Sequence, residues 1–116
     1  MNLNNLTLKT QEAIQTAQQY AFEKKHPQIE EEHLFYGLLE VDRNVVPFLF
    51  NKLDVDIEIL KELNNKSLDK FSKVEGSTHM ISQKASKTLM NALSIAKKQK
   101  DEFVAAEHLL ISLLDS

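Results

Sequence analysis

"EEEHLFYGLLE" at residues 30–40 returns, barely altered, as "AAEHLLISLLD" at residues 105–115. Glu32, His33, Leu34, Leu38 and Leu39 become Glu107, His108, Leu109, Leu113 and Leu114, at a constant offset of 75 residues. Phe35, Gly37 and Glu40 become the related Leu110, Ser112 and Asp115. In each copy the apolar positions form one helical stripe, and in the first copy Glu30, Glu31 and Glu32 cluster at the helix's positive end. So long a match in so short a chain points to a duplicated structural unit.

The correspondence extends outward from these two stretches. Thr7 is placed to cap a helix over 8–25 whose Ala13, Ile14, Ala17 and Ala21 share one face, with Pro27 as the stop. Ser82 stands where Thr7 stood, and Leu89, Ala92 and Ala96 stand for Ile14, Ala17 and Ala21. Val104 likewise answers Ile29. The matches fall on caps and core positions while exposed positions drift, as a repeated packing unit requires. After the first copy, a third helix is predicted over 44–53, with Pro47 harmless in its first turn. A fourth, capped by Asp56, is predicted to bury Ile57, Leu60, Leu63 and Phe71. Periodicity then lapses, and Gly76-Ser77-Thr78 reads as a connection.

These elements predict an all-α fold: a compact helical bundle built from two pseudo-repeats of a four-helix unit. The chain reads as one domain over 1–116, with repeat one at 6–71, a linker at 72–81 and repeat two at 82–116. The second repeat is truncated relative to the first, so the chain is expected to be a piece of a longer protein. The stripe Leu109, Leu110, Leu113 and Leu114 is expected to lack the cover its counterpart receives.

Composition agrees with this architecture and removes several functions. Of 116 residues, 42% are hydrophobic and 27% charged, which is ordinary for a globular domain. Two glycines and two prolines leave little material for the turns of a sheet. A net charge of −3 does not provide the basic surface that nucleic acid requires. Cysteine is absent, so thiol chemistry is excluded and a reducing compartment is compatible. No apolar run approaches the roughly 20 residues of a membrane span, and the start is unlike a signal peptide. A cytoplasmic location without membrane contact is expected.

The histidines do not form a reactive site. Neighbouring helical residues point about 100° apart, so Glu32 does not face His33. "EHLFYG" lacks the second histidine one turn on that a zinc protease needs. His26 and His79 fall in connections with no partner at ligand spacing. His33 and His108 are therefore expected to pack or hydrogen-bond within their own repeats, and no catalytic, cofactor or metal residue is assigned. Gly37 and Gly76 are the only glycines, so a phosphate-cradling loop is impossible here.

A positive signal comes from residues that break the repeat. Met90, Leu93 and Ile95 stand opposite Gln15, Gln18 and Tyr20. Leu93 is expected to pack between the units, leaving Met90 and Ile95 for a surface that receives varied side chains.

The stretches "LTLKTQEAIQTAQQYA" (6–21), "QIEEEHLFYGLLE" (28–40), "VVPFLFNKLDVD" (45–56), "KVEG" (73–76) and "DEFVAAEHLLISLL" (101–114) resemble the N-terminal domain of the Clp family of AAA+ proteins. Within that family the likeness is to the ClpB branch of disaggregating chaperones. The resemblance implies a substrate-recognition domain that binds exposed apolar segments of unfolded or aggregated polypeptides and passes them to a homohexameric ATPase ring. It implies a shallow apolar groove with polar rim positions at Thr7, Asp101 and Glu107, and Ile95 beside them. ATP and Mg belong to downstream modules, and an Hsp70-type co-chaperone is expected to act on the parent. The alternatives are a ClpC- or ClpA-type domain that docks adaptors for a protease, or a stand-alone adaptor.

Overall fold

In the computed structural model, which describes residues 5–116, Thr7 and Ser82 each start a helix by the same hydrogen bond. Thr7 Oγ1 accepts from the Thr10 amide at 3.2 Å, and Ser82 Oγ accepts from the Ala85 amide at 3.1 Å. The helices they open are α1 (Leu8–Glu23) and α5 (Gln83–Lys98). Between them lie β1 (Gln28–Ile29), α2 (Glu31–Val41), α3 (Val45–Lys52), α4 (Ile57–Asp69) and β2 (Met80–Ile81), and α6 (Ala106–Leu114) follows α5. The protein is an all-α bundle with two minimal strands. Of the expected domain, residues 1–4 lie outside the described residues.

The repeats are interlocked. Leu6 pairs with Val104, and Ile29 pairs with Ile81. Under the 75-residue offset, Leu6 maps to Ile81 and Ile29 to Val104, so each contact is the other's image. The Thr7 amide donates to Val104 O at 3.0 Å, and the Ser82 amide donates to Ile29 O at 3.0 Å. Each repeat thus lends the residue before its first helix to the segment before the other's second helix. One core results, containing Ala13, Ala17, Leu34 and Leu38 from repeat one and Leu89, Ala92, Leu109 and Leu110 from repeat two. Buried alanines on α1 and α5 let the helices packed against them approach closely.

Helix ends depart from the sequence expectation for an identifiable reason. α1 stops at Glu23 rather than Lys25, because Lys25 adopts a left-handed φ of 60°. The Lys25 amide then reaches Phe22 O and the His26 amide reaches Ala21 O, which closes the helix. Lys100 (φ 62°) and Asp54 (φ 57°) end α5 and α3 in the same way. α4 stops at Asp69, so Phe71 leaves the helix and stacks on the His33 ring. Leu68, not Leu63, is the fully buried leucine of α4, and Leu63 is 55% exposed.

The last helix is better covered than the sequence leads one to expect. α6 packs against α5, α2 and α3, and Leu109 and Leu110 are sealed inside. Leu113 is partly buried and Leu114 is half exposed.

Candidate functional site

Five residues are assigned to binding from the sequence, and the fold places three of them around the entry to α6. Thr7 is joined to that entry through Val104: its amide bonds Val104 O, and Thr10 Oγ1 donates to the same carbonyl at 2.9 Å. The Thr7 hydroxyl also meets Thr10 Oγ1 at 2.8 Å. Asp101, half exposed, accepts from His108 Nε2 at 2.9 Å. Glu107 lies in the first turn of α6. It rims a cleft of 530 Å³ between α3 and α6, otherwise lined by Asn44, Val45, Phe48 and Leu49. That cleft is almost purely apolar, with Phe48 57% exposed on its wall.

The two α5 residues do not join each other. Five residues along a helix amount to a rotation of about 140°, so Met90 and Ile95 point to different sides. Met90 is 64% exposed and Ile95 is half-buried. Leu93 packs against the core.

A second cleft, of 330 Å³, escaped the sequence reading. It lies between α2, α4 and the end of α6, with Phe35, Leu60, Leu63, Leu113 and Leu114 on its apolar walls and Glu31 and Glu32 at its edge. The signal available was the stripe at Leu113–Leu114 with no sequence-apparent cover. Assigning Leu63 to the interior hid the opposite wall. Burial raises the Glu31 carboxyl's proton affinity, but hydrogen bonds from Ser116 and Thr88, with Lys84 nearby, outweigh it and hold the group below its ordinary value.

The repeated histidines are hydrogen-bonding groups in their own repeats. Nδ1 of His33 accepts from the Glu30 amide at 2.8 Å, and Nδ1 of His108 accepts from the Ala105 amide at 2.9 Å. Each satisfies the amide at the N-cap of its helix, the role a glutamate has in a capping box. Among the described residues, no group of three or more His, Asp or Glu side chains could hold a metal ion. No described helix is long and apolar enough to cross a membrane.

Comparison with known proteins accords with this geometry. Residues 5–116 match the Clp repeat (R) N-terminal domain family. Chaperone protein ClpB of Bacteroides thetaiotaomicron is 34% identical over 114 residues, covering 98% of this chain and 13% of that protein. The chain therefore spans about an eighth of the length of that curated relative. The Hsp104 N-terminal domain from Candida albicans superposes with a TM-score of 0.85 at 21% identity, over 95% of this chain and 73% of that one. A ClpV N-domain, solved in complex with a VipB peptide, superposes with a TM-score of 0.81 at 15% identity, over 97% of this chain and 69% of that one. With its doubled helical unit matched from residue 5 to residue 116, the chain belongs to the Clp N-terminal domain family.

Proposed function

We propose that this chain is the substrate-recognition domain of a ClpB-like AAA+ disaggregase, taking exposed apolar segments of unfolded or aggregated polypeptides. The observation that carries the reading is the apolar cleft between α3 and α6, with Phe48 open to solvent and Glu107 on its rim. A shallow apolar surface with one acidic edge holds varied side chains by desolvation without demanding a fixed sequence. Thr7 and Asp101 flank the same helix entry and form the polar side of the site, with Ile95 and Met90 as outlying apolar contacts. The ClpV N-domain's complex with a VipB peptide supports a peptide-sized ligand for this fold. In this reading ATP and Mg act in modules outside these 116 residues, the parent forms a homohexameric ring, an Hsp70-type co-chaperone acts on it, and the setting is cytoplasmic.

A chemical-shift titration with a reduced, carboxymethylated and therefore permanently unfolded protein tests this. The amides of Val45, Val46, Phe48 and Leu49 and those of 101–108 are expected to shift together. Phe48→Asp and Ile95→Asp are each expected to weaken binding at least about fivefold while leaving helicity unchanged, an effect of roughly 1 kcal/mol. Shifts confined to other faces, with both variants binding normally, would remove this cleft from the reading.

A further inference from the structure

Each repeat closes the start of its second helix with a histidine but gives that histidine a different partner. In repeat one the Glu30 amide donates to Nδ1 of His33, so the ring's own hydrogen sits on Nε2 and points at Nδ1 of His26, 2.8 Å away. Donors therefore run in one direction through both contacts. A proton added to His33 would face the Glu30 amide, and one added to His26 would face the His33 N–H. Neither ring can accept charge in place. In repeat two the Ala105 amide donates to Nδ1 of His108, and Nε2–H points at the Asp101 carboxylate and, at 3.1 Å, the Gln99 amide oxygen. A proton added to His108 would face the Ala105 amide as in repeat one, but its other ring nitrogen donates to a carboxylate there instead of to a second imidazole.

Everything around the repeat-one pair strengthens the contrast. Both rings are buried, at 3% and 0% exposure. Lys24 beyond α1 and Lys73 in the following connection repel a proton on His26, while Asp69 at the end of α4 favours one. His79 contacts the pair from the same connection, its Nδ1 bonded to the His26 carbonyl. Glu30 edges the small cleft beside His26, and the rings of Tyr20 and Phe71 enclose both histidines. Burial and then His26 push His33 down to about 4. Burial, then Lys73 and Lys24, lowers His26.

We propose that the His26–His33 pair is an acid-sensitive joint that loosens the start of α2 and the 70–79 connection as pH falls, while the Asp101–His108 pair keeps repeat two closed. The connection is held at this point by the Val74 amide on Lys25 O (2.8 Å), Ser77 Oγ on Pro27 O (2.7 Å) and His79 on His26 O. The sign follows from proton counting. Between an ordinary histidine value near 6.5 and about 4, the unfolded state binds more protons than the folded one. Stability present above 6.5 is lost progressively as pH falls toward 4.

Native-state amide hydrogen exchange on the intact chain, corrected for intrinsic rates, compares pH 7.5 with pH 5.0. Protection at His33, Leu34 and Val74 is expected to fall by up to about thirtyfold, the ratio set by values near 4 and 6.5. Protection at His108 and Leu109 is expected to hold. An equal loss in both repeats, or none in repeat one, overturns the proposal without any variant. His26→Asp, which copies the repeat-two pairing, is expected to abolish the repeat-one loss, and Asp101→His to transfer it to α6. A repeat-one loss that persists in H26D would place its origin elsewhere.

Discussion

Repeat one and repeat two share a cap, an alanine face and a histidine-closed second helix, yet they differ at the point where their two helices touch. In repeat one, a Cβ added to Gly37 would lie 2.0 Å from the carbonyl oxygen of Ala13. In repeat two, the matching residue is Ser112, and its hydroxyl donates at 2.7 Å to Thr88 O, the counterpart of Ala13 O. One helix pair tolerates only a hydrogen where the other holds a hydroxymethyl group. The α5–α6 pair must therefore stand wider at this point than α1–α2. Duplication preserved the arrangement of helices and let their spacing diverge, with the gap filled by one side chain.

Exchanging these residues breaks the comparison most severely. Gly37→Ser meets backbone rather than a movable side chain, so α2 must shift off α1, at an expected cost of about 3 kcal/mol or more. Ser112→Gly loses the buried bond to Thr88 O, the bond that Asn91 Nδ2 donates to the hydroxyl at 3.2 Å, and some packing, and is expected to cost about 1–2 kcal/mol. Urea unfolding midpoints measure both. A Gly37→Ser loss no larger than that of Ser112→Gly would mean that the α1–α2 contact yields more easily than the geometry implies.

The same particulars explain what the sequence could disclose. Caps at Thr7, Ser82 and Asp56, the alanine faces and the second helices were legible because they obey local rules: a side chain that accepts an amide, and spacing that puts apolar groups on one face. The helix ends were not, because Lys25, Asp54 and Lys100 occupy a left-handed conformation that usually advertises itself through glycine. The clefts were legible only in part. The rim position of Glu107 is implied by the family resemblance alone, and the cleft it edges is walled by Val45, Phe48 and Leu49 of α3, whose packing on α6 joins residues distant in sequence. Pairing His26 with His33 likewise needs the helix end at Lys25 to turn the chain back, which spacing alone does not reveal.

A gentler change compares the caps. Thr7→Ala and Ser82→Ala each leave one first-turn amide without its acceptor, an expected loss of about 1 kcal/mol. Thr7 also supports Thr10, whose hydroxyl holds Val104, so Thr7→Ala is expected to cost the more of the two. Thr7→Ser keeps the hydroxyl and is expected to restore most of the loss. Thermal midpoints of the three variants decide the order, and a larger loss from Ser82→Ala would show that the link to Val104 contributes little.

The smallest expected effect has the opposite sign. A left-handed lysine costs about 1 kcal/mol that glycine would avoid, but glycine also gives the unfolded chain more freedom. Lys100→Gly is therefore expected to stabilise by about 0.5 kcal/mol, the helix-closing bonds of its own amide to Lys97 O and of the Asp101 amide to Ala96 O being backbone and retained. Lys25→Gly removes the same strain, yet it also removes the ion pair with Glu75, which tethers the 70–79 connection to repeat one. Both partners of that pair are largely exposed, so its contribution is small, but it subtracts from a small gain. Lys100→Gly should accordingly raise the thermal midpoint more than Lys25→Gly at low salt, and the two should converge as salt screens the pair. A Lys25→Gly gain that equals that of Lys100→Gly at every salt concentration would show that Glu75 does nothing to hold the connection, leaving its attachment to the backbone bonds around His26.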